Sequence, residues 1–142
     1  MAVQVRASYQ LKGWQGDQLK LRVSRIMQAY QTPMDQQLKT EIQTAQFDWP
    51  RGTHRRNGSY VPPGKRNIVD LGGLLRSQKR SFDGRATLTF TWDAPHAKLV
   101  LIGYRTRKTI VDGRDWIKPA LQHLPLDKFF AEQWRRLENK GA

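Results

Sequence analysis

Lys79-Arg80-Ser81-Phe82-Asp83-Gly84-Arg85-Ala86-Thr87-Leu88-Thr89-Phe90-Thr91-Trp92 is the stretch that decides the fold. Asp83-Gly84 is a two-residue hairpin signal, because both residues accept the positive φ angles that a tight turn between twisted strands requires. Beyond it, Leu88, Phe90 and Trp92 alternate with Thr87, Thr89 and Thr91. Period two puts the large apolar side chains on one face and β-branched Thr on the other. Asp93-Ala94-Pro95 ends the run. Residues 79–82 and 86–92 are therefore expected as an antiparallel pair with one face packed against something apolar.

Working outward, the N-terminal end supplies a further strand. Val3, Val5, Ala7, Tyr9 and Leu11 alternate with Gln4, Arg6, Ser8 and Gln10, predicting a strand over 3–11. Gly13 and Gly16 interrupt it, and Asp17 is placed to cap a helix. Leu19, Val23, Ile26, Met27 and Tyr30 follow at helical spacing, and Met34, Leu38, Ile42 and Ala45 continue the stripe. Between them, Thr32-Pro33-Met34-Asp35 has the form of a fresh helix start, so two helices or one helix kinked at Pro33 both fit. On the other side, Ala97 to Ile102 is a short apolar run compatible with a helix or with a fourth strand at 98–103. Trp116, Ile117, Ala120 and Leu121 come next. A last amphipathic helix follows, carrying Leu126, Phe129, Phe130, Trp134 and Leu137. The expected class is α+β: a small, mostly antiparallel sheet against N-terminal and C-terminal helices, with long basic loops, in a single domain over 1–142. Residues 139–142 are expected as a flexible tail.

The chain has 142 residues with 25 Lys+Arg against 12 Asp+Glu, a formal net charge of +13. Cut at residues 47, 66, 104 and 118, the five segments carry excesses of +3, +4, +2, +3 and +1. A basic-arm DNA binder concentrates its charge in one block; here it is spread, which suits a broad anionic surface or acidic protein partner. Two stretches stand out. Residues 48–66 hold three Pro, three Gly and five basic residues with no period to bury, and read as a long loop or arm. Residues 103–115 are likewise Gly- and Arg-rich. No apolar run approaches the ~20 residues that span a bilayer, and the first six residues carry no apolar signal-peptide core. The expectation is a protein without a membrane partner, made in the cytoplasm.

Motifs for chemistry are lacking. There is no Cys, which excludes disulfides, thiolate metal sites and a cysteine nucleophile. His54, His96 and His123 have no metal-type partner at i+3 or i+4. Gly72-Gly73 has no Lys-Ser/Thr beside it, and neither Ser77 nor Ser81 sits in a Gly-x-Ser-x-Gly context. The few acids have ordinary roles open to them, Asp70 as a helix cap and Asp83 as a turn residue. The expectation is a non-enzyme that needs no cofactor. Trp92 and Trp134 read as core. Trp49 and Trp14 stand at segment ends, where aromatics interleaved with Arg serve protein interfaces or stack on bases; the interface reading is preferred.

Lys65-Arg66-Asn67-Ile68-Val69-Asp70-Leu71-Gly72-Gly73-Leu74-Leu75-Arg76-Ser77 resembles a signature of tailed-phage neck proteins, the head–tail joining or tail-completion family. Arg66, Ile68, Val69, Asp70, Gly72, Leu74 and Ser77 fit that pattern, while Leu71 stands where Thr is usual and the Pro falls earlier, at Pro63. Two further segments follow in the family's order. One runs from Pro95 to Gly103, with His96 for a Tyr and Leu101 for a His. The other runs from Gly113 through Arg114, Trp116, Ile117 and Pro119 to Leu121. The resemblance covers roughly residues 66–121. It implies a non-catalytic virion component, made in the host cytoplasm, that forms a ring of six- or twelve-fold symmetry around the DNA channel. The neighbours it implies are a portal or adaptor ring and a tail-terminator or tail-tube protein, with non-specific contact to packaged DNA open. Its structural motif residues here are Arg66, Asp70, Gly72, Leu74, Ser77, Gly103, Arg114 and Pro119. The residues expected at an interface or facing DNA are Trp49, Arg51, Arg55, Arg56, Lys65, Arg105, Arg107 and Lys108. The alternatives are a stand-alone basic nucleic-acid-binding protein and a tail-terminator subunit of the same virion.

Overall fold

The computed structural model describes residues 3–9, 17–49, 52–54, 58–66, 72–105, 107 and 110–139. It mixes helix and strand around one three-stranded antiparallel sheet, β1 (Val3–Ser8), β7 (Thr87–Trp92) and β6 (Gln78–Phe82), in the order β1-β7-β6. β1 pairs Val3 with Trp92, Val5 with Phe90 and Ala7 with Leu88. On β7 the alternation read from sequence holds: Leu88, Phe90 and Trp92 are buried and the threonines half-buried. The β6–β7 link is wider than two residues. Phe82 pairs with Leu88, and the Asp83 carboxylate accepts the N–H groups of Arg85, Ala86 and Thr87 at 2.7, 3.0 and 3.1 Å. Those bonds, led by the one from Thr87, hold the Asp83 carboxyl below its ordinary pKa. β1 is shorter than the 3–11 alternation suggested: Tyr9 is past its end, though its N–H still donates to the Ala86 carbonyl. Gln10 and Leu11 lie outside the described residues.

α1 (Asp17–Gln43) is one helix with Pro33 inside it. Proline removes one backbone donor there, yet the apolar stripe runs through without a break. Val23, Ile26, Met27, Tyr30, Met34, Leu38 and Ile42 are all buried, and packing of this face outweighs the local cost. Ala45, read as the end of the stripe, lies beyond the helix and is exposed. α1 packs on β7, on α4 (Ile117–His123) and on α5 (Leu126–Asn139). Trp92 and Trp116 meet edge to face at 5.3 Å between ring centres. The Trp92 indole N–H donates to Gln78 Oε1 (3.1 Å), whose Nε2 in turn donates to the Asp35 carboxylate (2.9 Å), so the sheet edge is tied to α1 by polar bonds at the rim of the core. The Tyr30 hydroxyl donates to the Leu124 carbonyl at 2.6 Å, and burial pushes its pKa up to about 12.

Three expectations are corrected. The run considered for a fourth strand at 98–103 is a helix, α3 (Ala97–Ile102), with Ala97 buried. Its i, i+3 pair Leu99 and Ile102 stands out to solvent, a helical face that alternation cannot generate. Residues 48–66 are also not a featureless loop: their described residues include two short antiparallel ladders. β2 (Phe47–Trp49) pairs with β5 (Gly64–Arg66), and β3 (Thr53–His54) pairs with β4 (Tyr60–Val61). The 103–115 stretch likewise pairs β8 (Gly103–Arg105) with β9 (Ile110–Asp112). The tail 140–142 is outside the described residues, and Asn139 closes α5.

Candidate assembly surface

The hairpin over 47–66 is built from strands of two or three residues. The β2–β5 register puts Trp49 opposite Gly64, whereas β3–β4 puts Thr53 opposite Val61, so one strand has an extra residue between the ladders. Pro62 and Pro63, which carry no backbone N–H, lie between the two ladders. Lys65 and Asp48 form an ion pair across β2–β5 at 2.7 Å. Both side chains are mostly in water, so the pair contributes little. His54 and Tyr60 face each other across β3–β4 at 5.1 Å between ring centres. Gly52, His54, Gly58, Ser59, Tyr60 and Pro62 to Lys65 are all exposed.

At the base of this hairpin the Arg114 guanidinium sits over the Trp49 ring, 4.4 Å from its centre. Arg114 is 8% exposed, and burial lowers its pKa, with an electrostatic contribution from Tyr104 opposing. A guanidinium remains protonated through such a shift, so the contact is a desolvated cation–π pair of roughly 2 kcal/mol. Sequence reading had placed Trp49 among interface residues and Arg114 among motif residues. The fold joins them across 65 positions, and Trp49 is half-buried as the clamp of the hairpin to the body.

The other motif residues have structural roles. Gly72 is the N-cap of α2 (Gly73–Arg76), in left-handed conformation at φ 72, which only Gly adopts at low cost. Leu74 is fully buried. Ser77 is the C-cap; its hydroxyl donates to the Leu74 carbonyl at 2.8 Å. Gly103 begins β8 and Pro119 lies within α4. The backbone of Arg66 lies in β5. Asp70, read as a helix cap, lies outside the described residues, as do Trp14, Arg51, Arg55, Arg56 and Lys108.

The β8–β9 hairpin exposes Arg105, Arg107, Tyr104 and Ile110, the last with 66% of its surface open. Ile110 is directly opposite Arg105 in the ladder. The Arg114 N–H donates to the Val100 carbonyl at 2.7 Å, fastening the hairpin's base to α3. Gly113 allows that approach: a Cβ there would stand 2.5 Å from the Leu101 carbonyl oxygen. Together the two hairpins expose basic and apolar groups side by side, the composition that protein interfaces favour.

Sequence reading missed the exposed apolar set Leu99, Ile102, Tyr104 and Ile110, whose only sequence signal was the i, i+3 spacing in α3. It also missed Glu41, which is buried among three donors: Gln37 Nε2 at 2.8 Å, Gln46 Nε2 at 2.7 Å and His123 Nδ1 at 2.5 Å. Burial alone would raise the Glu41 pKa; the bonds from Gln46, His123 and Gln37 outweigh it, and the net shift is downward. No cluster of three or more metal-ligating side chains occurs among the described residues. No helix among them is long and apolar enough to cross a membrane. Comparison with protein-family models, with curated proteins and with solved structures returns no match.

Proposed function

We propose that the chain is a structural neck subunit of a tailed phage, a head–tail connector or tail-completion protein. In this reading it forms a ring between the portal or adaptor complex and the tail terminator or tube, around the DNA channel. The supporting observation is the pair of β-hairpins, 47–66 and 103–112, whose described residues expose Tyr60, Lys65, Tyr104, Arg105, Arg107 and Ile110, carried by a body whose core is filled by Trp, Phe, Leu and Ile. A two-stranded ribbon on its own is marginal in water; against neighbouring subunits it gains buried area on both faces. The motif order over residues 66–121 supports the same reading: Arg114 clamps the first hairpin, and Gly72, Leu74, Ser77 and Pro119 serve α2 and α4.

The role is non-catalytic, the site of action is the virion neck, and synthesis is in the host cytoplasm. The +13 charge serves an assembly surface beside DNA and acidic partners. The stand-alone nucleic-acid-binding alternative makes a separate prediction: affinity for free duplex that falls steeply with salt in the isolated subunit. In an assembling lysate that lacks the chain, filled heads and finished tails should accumulate unjoined, and adding the purified protein should join them. Fully joined, infectious particles in its absence would sink the proposal.

A further inference from the structure

Two copies carrying +13 each repel, so any contact between them needs carboxylates facing bases. Most described acids are engaged within their own subunit. Asp35, Asp48 and Asp93 pair with Lys39, Lys65 and Lys79, and Glu41 pairs with His123. Asp83 and Asp115 accept backbone N–H groups. Besides Asp17 at the start of α1 and Asp112 on β9, the described acids outside that set are on α5: Asp127, Glu132 and Glu138, with one Glu138 oxygen accepting from the Trp134 indole at 3.1 Å.

Asp127 and Glu138 border an open groove of about 460 Å³ between Tyr9 and α5. Its floor is aromatic: Tyr9 stacks on Phe130 at 3.6 Å, and Phe130 stacks on Trp134 at 5.9 Å. Arg22 is held over the Trp134 ring and Arg135 shares the rim. The groove thus combines an apolar floor with carboxylates that the rest of the surface largely keeps for itself.

The β8–β9 hairpin has the complementary character. Tyr104 and Ile110 are 42% and 66% exposed, Arg105 lies across from Ile110, and Arg107 is at the connection. Side chains stand out from both faces of a two-stranded ribbon, so one face can be presented to such a groove. We infer that this hairpin of one copy seats in the Tyr9–Phe130–Trp134 groove of the next. Ile110 rests on the rings, and Arg105, on the same face of the ribbon, and Arg107 reach Asp127 and Glu138. Hairpin and groove are different patches of one chain, so the contact is heterologous: it propagates head to tail and closes into a ring where the rotation permits. The inference rests on the ring-forming reading above and names the two surfaces that would make the ring.

The chain has no cysteine of its own, so an engineered pair reports cleanly. Ile110→Cys and Ala131→Cys, both at exposed positions, are placed in one chain and oxidised mildly at high concentration. A ladder of disulfide-linked multimers is expected, while a mixture of the two single variants should stop at dimers. Arg105→Glu with Arg107→Glu in the same background should abolish the ladder, and adding Asp127→Lys should restore it. Monomers only, a ladder indifferent to these charge changes, or an equal ladder from Tyr60→Cys with Ala131→Cys would overturn the inference. Rings seen in particles without this ladder would overturn the groove contact and leave the ring-forming reading standing. Joined particles formed without the chain would overturn that reading, and a charge-dependent ladder would then still support the contact.

Discussion

Replacing Gly113 by Ala adds one methyl group at the junction that carries the β8–β9 hairpin. The new Cβ would stand 2.5 Å from the Leu101 carbonyl oxygen and 2.8 Å from the Ile102 carbonyl carbon, against the 3.4 Å at which ordinary contact begins. The obstacles are backbone atoms of Leu101 and Ile102, the last residues of α3, so no side chain can swing aside. Relief requires a shift of about 0.9 Å at the point where the Arg114 N–H meets the Val100 carbonyl at 2.7 Å. Overpacking of this kind costs about 1–3 kcal/mol, and fixed backbone places it near the upper end. For a chain of this size that lowers Tm by roughly 6–12 °C. The loss should be local in origin: amide exchange should quicken first at Arg114 and along 110–112, and later, if at all, in β7. A variant with unchanged Tm and an equally protected Arg114 amide would refute the close approach of 113 to α3.

Three further perturbations probe the body. Trp92→Ala empties a fully buried site against Trp116 and should cost ~3–5 kcal/mol in denaturant unfolding; a loss under 1 kcal/mol would mean that the β7 face is not the core. Glu41→Gln places an amide among the Gln37, Gln46 and His123 donors and should cost about 1–3 kcal/mol. Because the folded Glu41 pKa lies below its unfolded value, its contribution is present above that unfolded value and is lost as pH falls through the folded one. Acid titration of stability should therefore be shallower in the variant, and an unchanged acid limb would contradict the assignment. Tyr30→Phe removes the bond to the Leu124 carbonyl, with an expected cost of about 1 kcal/mol. Since the Tyr30 pKa is raised from 10.0 to about 12, the wild type should lose stability between those pH values. The variant should lose less, and identical alkaline limbs would argue against burial of the hydroxyl.

Elements with a sustained period were readable before any coordinates. β1, β7, α1 and α5 place an apolar residue every second position or every third to fourth, and their buried faces follow that spacing, with Tyr30, Leu38 and Phe90 where the pattern put them. Strands of two or three residues complete hardly one cycle of alternation, so β2 to β5 left no periodic trace. Their composition of Pro, Gly and Arg pointed to loop. The Ala97–Ile102 run was ambiguous because six apolar residues suit either period; the His96 and Gly103 boundaries and the buried Ala97 fit the helical solution. Of the candidate surface, the basic residues were visible and their arrangement was not. Nothing local to Trp49 announces Arg114, and the aromatic floor of the α5 groove needs Tyr9 from the opposite end of the chain.

The proposal that this chain joins filled heads to tails as a ring in the virion neck is tested by electron microscopy of assembly products from cells lacking the chain, before and after the purified protein is added. Separate heads and tails are expected before addition. Afterwards, joined particles with an added ring of density between portal and tail are expected, and no rescue by a variant lacking residues 103–112. Joined particles without the protein, or rescue with no density at the neck, would refute the neck role.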